Sequence, residues 1–166
     1  MNQLEVVTVD CRLSVVVPTF NERDNVLELA ARIEAALGPD GWEIVFVDDD
    51  SPDGTAAVVR RLSRSDRRIR IVQRVGRRGL SSACIEGMLA ASGDAIAVMD
   101  ADLQHDESRL PHMLAAIEEE GAEIAVGTRY ALGGSTGEWD AKRLGMSRMA
   151  TAIASRVLRS GRCLNA

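Results

Sequence analysis

Five short apolar runs, Leu13 to Val17, Glu43 to Val47, Ile69 to Gln73, Ala95 to Met99 and Glu123 to Gly127, recur along the chain with helical spacing between them. The runs are rich in Val and Ile and short enough for buried strands. Val26, Leu29, Ile33 and Leu37 share one face of a helix predicted over Asp24 to Leu37, which Gly38, Pro39 and Gly41 then close. Asp53 to Leu62, Ser81 to Ala91 and Ser108 to Glu119 read as further helices. Such alternation dictates an α/β fold: a mostly parallel, doubly wound sheet with helices on both faces, making three α/β/α layers. Ligands of such sheets bind beyond the carboxyl ends of the strands. Tyr130 to Ala141, rich in Gly and polar residues, reads as a loop, and Arg143 to Leu158 as a final helix.

A length of 166 residues fits one layered domain. Aromatics are only 3% of the chain against 46% hydrophobic residues, so the core is expected to be built from Val, Ile, Leu, Ala and Met. No apolar run approaches the roughly 20 residues that span a bilayer, and Met1 to Asp10 lacks a basic flank. Neither a signal peptide nor a transmembrane helix is expected. Cys11, Cys84 and Cys163 are scattered and odd in number, which disfavours a disulfide framework and a zinc site and favours a reducing, cytoplasmic setting. The net charge of −5 is uneven: Lys142, Arg143, Arg148, Arg156, Arg159 and Arg162 follow Asp140 with no acid among them. Setting those six bases aside leaves 14 against 25 acids, a net of −11. An acidic body argues against nucleic-acid binding, while the basic tail suits a local anionic partner or a solvated helix end.

The polar motifs fall at strand ends. After the first strand comes Pro18-Thr19-Phe20-Asn21-Glu22, without the glycine-rich turn of a dinucleotide-binding domain, and no phosphate-binding glycine loop followed by Lys occurs elsewhere. The second strand delivers Asp48-Asp49-Asp50-Ser51-Pro52-Asp53-Gly54-Thr55. Helix capping accounts for Ser51 to Thr55. Adjacent Asp48 and Asp49 repel each other unless cations or donors such as ribose hydroxyls and base nitrogens relieve them, so nucleotide contact is expected there. The fourth strand ends in Asp100-Ala101-Asp102-Leu103-Gln104, two hard-oxygen ligands around a small residue, which suits Mg²⁺ or Mn²⁺ with a diphosphate. His105 follows and could be a ligand, but a single exposed His is more often incidental. Arg74, Arg77 and Arg78 form a basic loop before Leu80-Ser81-Ser82, either an anion site or a solvated loop. Arg129 follows the fifth strand, where a guanidinium can grip phosphate oxygens. In the last helix Met146, Met149, Ile153 and Val157 form an apolar stripe best used for packing, and Arg148, Arg156 and Arg159 lie mostly off it.

Taken in order, Val15 to Glu22, Val47 to Thr55, Gly79 to Ala83, Met99 to His105 and Gly127 to Tyr130 resemble the motifs of dolichol or polyprenol phosphate mannosyltransferases, within the family-two, GT-A glycosyltransferases. The resemblance covers roughly residues 12 to 145. It implies an N-terminal extension at 1–11, a GT-A domain with a Rossmann-like three-layer sandwich at 12–145, and a basic helical segment at 146–166. It further implies transfer of mannose from GDP-mannose to a dolichyl or polyprenyl phosphate with Mg²⁺ or Mn²⁺. Pro18, Phe20, Glu22, Val47 and Asp49 would then meet the guanosine end. Asp100, Ala101, Asp102 and Gln104 would form the metal and diphosphate site, Asp102 being the foremost ligand, and Arg129 and Arg143 would lie near the diphosphate, sugar or acceptor phosphate. Phe20 stands where the family often has Tyr, and Asp106 and Glu107 where it often has prolines. Relatives continue with an Asp-Pro-x-Ser-Gly-Phe-like segment and further helices, so the chain ending at Ala166 reads as a shortened enzyme. A lipid acceptor implies work at the cytoplasmic face of a membrane as a peripheral protein, with a membrane-embedded partner subunit. Two alternatives are a transferase using another donor, such as UDP-glucose, and a non-catalytic module that binds nucleotide sugar.

Overall fold

The computed structural model of the protein describes residues 11–127. Arg129, Arg143 and the expected final helix lie outside the described residues. Nearly all of the described residues belong to one compact unit ending at Ala125.

Four parallel strands form one sheet: β1 (Leu13–Thr19), β2 (Trp42–Asp48), β3 (Ile69–Gln73) and β4 (Ala95–Val98), in the order β3-β2-β1-β4. Between them run α1 (Val26–Leu37), α2 (Thr55–Ser65) and α3 (Leu80–Ala90), and after β4 come a 3-10 turn at Glu107–Arg109 and α4 (Leu110–Glu118). β2 is buried along its whole length and β1 nearly so, because both faces of the sheet are covered. Val15, Val17, Ile44 and Phe46 point to one side, where they pack with Val26, Leu29 and Ile33 of α1, Val59 of α2 and Leu110 of α4. Val16, Val45 and Val47 point to the other, against Ala83 of α3. Three layers result, as the alternation requires.

α3 lies close on its face of the sheet because Gly87 lets it. A Cβ there would collide with Val16 and stand 2.9 Å from Val47 Cγ2. The chain enters that face after β3 and returns to β4 beside β1, so the winding reverses between β1 and β4. That reversal is the switch point at which doubly wound sheets leave a crevice at their carboxyl edge.

Residues 123–127, expected as a fifth strand, are irregular among the described residues, and the described sheet ends at β4. Ile124 is 79% exposed, so this apolar run has no covered face to hold it extended. The helix expected over Ser108 to Glu119 is observed as the 3-10 turn followed by α4. Asp106 starts it, accepting from Ser108 N at 3.1 Å, so a capping carboxylate begins the turn.

Candidate functional site

The turn after β1 is stitched to the turn after β2 by main-chain donors. Asn21 N donates to Ser51 Oγ at 3.0 Å, Glu22 N to Thr55 Oγ1 at 3.0 Å and Arg23 N to Asp53 Oδ2 at 3.1 Å. Asn21 takes a φ of 60°, which a short polar residue tolerates. Glu22 is fixed in turn by Asn25 Nδ2 at 2.7 Å. The consequence is a rigid platform from which Phe20 projects, 40% exposed, with the Arg78 guanidinium carbon 4.2 Å from its ring centroid.

Each carboxylate of the acidic turn has its own donors, which is how the fold relieves their mutual repulsion. Asp48, fully buried, accepts from Ser51 N at 3.0 Å and Ser51 Oγ at 2.6 Å, with Thr19 Oγ1 at 3.3 Å. Asp49 accepts from Arg74 Nη1 and from Gly79 N, each at 2.7 Å. Asp50, at a φ of 57°, receives Gly76 N at 3.2 Å. Asp53 receives Thr55 N at 2.9 Å and Thr55 Oγ1 at 2.6 Å. Burial by itself raises the Asp53 pKa, but the bonds from Thr55 and the Arg23 amide outweigh it and hold the carboxyl below its ordinary value. Asp48 thus serves the turn, which sequence spacing did not reveal.

Arg74 is the residue whose place the sequence left most open. Its side chain is only 2% exposed and ties Asp49 to the start of α3 through Gly79 O at 3.1 Å and Ser82 Oγ. Its Nε stands 3.2 Å from Glu86 Oε1, an ion-pair distance without hydrogen-bond alignment. The one available signal was position, directly after β3, where the other chemical motifs also stand after strands.

At the tip of β4, Met99 and Ala101 are buried while Asp100 and Asp102 on either side are exposed. Asp102 Oδ1 accepts Gln104 N at 3.0 Å, and Leu103 is held at a φ of 59°, a costly conformation for a bulky residue. His105 Nε2 lies 3.5 Å from Asp100 Oδ2. Among the described residues no three His, Cys, Asp or Glu side chains are grouped to hold a metal. Two exposed carboxylates with hard oxygens nevertheless fit a small divalent cation that takes its other oxygens from a diphosphate and water.

The sheet order places the tip of β1 between those of β2 and β4, which stand two strand spacings, roughly 10 Å, apart. Pro18, Phe20, Glu22, Asp49, Asp100, Ala101, Asp102 and Gln104 therefore share the carboxyl edge. The Val47 side chain is fully buried in the core against α3, so it can meet a ligand only through its backbone.

Glycosyl transferase family 2 matches residues 14–161. A dolichol-phosphate mannosyltransferase of Pyrococcus furiosus is 44% identical over 142 residues, covering 86% of this chain and 40% of that protein. One of Saccharomyces cerevisiae is 36% identical over 145 residues, covering 85% of this chain and 54% of that protein. The chain thus spans about half the length of these relatives or less. Among solved structures, the Pyrobaculum calidifontis mannosyltransferase PcManGT in complex with GDP-Man and Mn²⁺ is 34% identical with a TM-score of 0.50, covering 55% of this chain and 27% of that one. S. aureus TarS 1–349 in complex with UDP-GlcNAc, at 23% identity and a TM-score of 0.63, shares the fold over 77% of this chain and 37% of that one.

Proposed function

Because the chain belongs to glycosyl transferase family 2, we propose that it binds GDP-mannose at the carboxyl edge of its sheet and transfers mannose to a polyprenyl or dolichyl phosphate. The observation that carries this reading is the pair of exposed carboxylates, Asp100 and Asp102, beside buried Ala101 at the β4 tip, across the switch point from Phe20. The base would stack on Phe20, with Pro18, Glu22, Asp49 and the Val47 backbone around the nucleoside. Asp102, with Asp100 and Gln104, would hold Mg²⁺ or Mn²⁺. When bound, that cation would neutralise charge building on the leaving diphosphate. Arg129 and Arg143 are proposed to share that task and to hold the acceptor phosphate.

The reaction is a single displacement. An oxygen of the acceptor phosphate forms its bond to the anomeric carbon as the bond from that carbon to the diphosphate oxygen breaks, GDP departs with the electron pair, and configuration inverts. The acceptor phosphate is largely anionic at neutral pH, its second pKa being about 6, so no side chain has to remove a proton. A lipid acceptor places the work at a membrane surface. No helix of the described residues is long and apolar enough to cross a membrane, and the bases after Asp140 are the proposed headgroup contacts, each worth about 1 kcal/mol near an anionic surface. A membrane-embedded partner subunit is compatible with that arrangement.

The decisive experiment is transfer of labelled mannose from GDP-mannose to polyprenyl phosphate with Mn²⁺ or Mg²⁺, run beside UDP-glucose. Asp102→Ala should lower transfer by about 100-fold or more while its circular dichroism and melting stay those of the parent. Equal transfer by Asp102→Ala would remove that carboxylate from its role. Donor binding with no transfer would favour the binding module, and preference for UDP-glucose the other donor.

A further inference from the structure

The connection from β3 to α3 carries three arginines with separate fates. Arg74 is buried on Asp49. Arg77 forks onto Glu86, its two terminal nitrogens 2.8 and 2.9 Å from the carboxylate oxygens. Arg78 alone of the three has no carboxylate partner among the described residues, and its guanidinium lies over the ring of Phe20. β2 separates β3 from β1 in the sheet, so this contact spans the tip of β2. The tip it spans bears Asp49, each of whose oxygens already accepts from the protein. Arg78 therefore brings guanidinium donors that no carboxylate of the described residues engages to this end of the site.

An aromatic face stacks any base, so Phe20 alone cannot tell one nucleotide from another. A planar guanidinium at the ring can. Guanine offers two acceptors, O6 and N7, along one edge at the spacing of an arginine fork, whereas adenine turns an amino donor toward that fork and a pyrimidine lacks the paired acceptors. Resting on the donor site proposed above, we infer that Arg78 is a specificity-determining residue: a guanine stacked on Phe20 displaces the guanidinium from the ring face, and Arg78 then donates to O6 and N7. Arg78 is thus the reader of the bound base, carried to it by its contact with the Phe20 ring. Lysine cannot replace it, since a point charge lacks the fork.

Calorimetric titration of the intact chain with Mn²⁺ tests this, using GDP, inosine diphosphate, 7-deaza-GDP, ADP and UDP against the parent, Arg78→Ala and Arg78→Lys. The parent should bind GDP and inosine diphosphate alike, on the order of tenfold tighter than ADP or 7-deaza-GDP. Both variants should lose that preference, Arg78→Lys despite its unchanged charge. An unaltered ratio of GDP to ADP in Arg78→Ala, or equal binding of 7-deaza-GDP and GDP by the parent, would overturn the assignment while leaving the donor site standing. Failure of the parent to bind GDP at all would instead remove the donor site, and this assignment with it.

Discussion

Glu43, at the amino end of β2, is buried with 6% exposure on the edge of the sheet opposite the candidate site. Its Oε1 accepts Ser14 Oγ at 2.7 Å and Ser92 N at 2.6 Å, and its Oε2 accepts Arg70 Nη1 at 2.8 Å. One side chain thereby joins β1, β2, β3 and the approach to β4. Burial pushes the Glu43 pKa up, but the bonds from Arg70, Ser14 and the Ser92 amide together win, and the carboxyl sits below its ordinary 4.5. A carboxylate held low in the folded chain binds fewer protons there than when unfolded, so its contribution is complete above about pH 4.5 and fades as pH falls through the folded value. Glu43→Gln should therefore cost about 1–3 kcal/mol at neutral pH and narrow its gap to the parent in acid, as read by denaturant melts from pH 7 to 3. A gap independent of pH would show that the loss is one of packing. The buried pair of Arg74 and Asp49 obeys a different balance, because two desolvated charges are costly together and costlier apart. Their gain lies in position, since they fix the β2 tip against the start of α3.

α3 shows how an element can be set by what it omits. Ala is ordinarily the better helix former than Gly, by about 1 kcal/mol in a helix interior. At Gly87 the added methyl would meet Val16 and Val47, and overpacking of this kind costs about 1–3 kcal/mol, so collision should outweigh propensity. Gly87→Ala is expected to lower stability by about 1 kcal/mol or more in urea unfolding; a gain would mean that α3 can lift from the sheet without loss. The strands and helices of the described core were legible because their apolar periods are dictated by burial on two faces. Residues 123–127 carried the same local signal and are not a strand among the described residues, since pattern records a capacity for pairing and not the partner. The acidic turn was legible as a cluster, but Ser51 and Thr19 satisfy Asp48, a contact that depends on a fold the spacing alone does not contain. Arg74, read as part of a basic loop, proved buried because it links Asp49 to the start of α3, a placement that depends on the fold and not on spacing.

At the scale of the molecule, the sheet order decides what kind of site is possible. The β4 tip offers two exposed carboxylates, and among the described residues no three acidic, His or Cys side chains are grouped to hold a metal. A cation held there must complete its coordination with oxygens from elsewhere, and on the proposed function these are the donor's diphosphate. Cation and nucleotide should then each strengthen the other by the same factor, as linkage requires. Ligand at about a hundred times its dissociation constant stabilises a fold by roughly 2.7 kcal/mol. In a chain of this size that corresponds to a rise in melting temperature of roughly 5–10 °C. GDP-mannose with Mn²⁺ should therefore raise Tm by more than the separate shifts from GDP-mannose alone and Mn²⁺ alone added together. The excess should vanish in Asp102→Ala, which lacks the carboxylate that would hold the shared ion. Additive shifts in the parent would mean that metal and nucleotide occupy independent places, and the crevice between β1 and β4 would lose its claim to both.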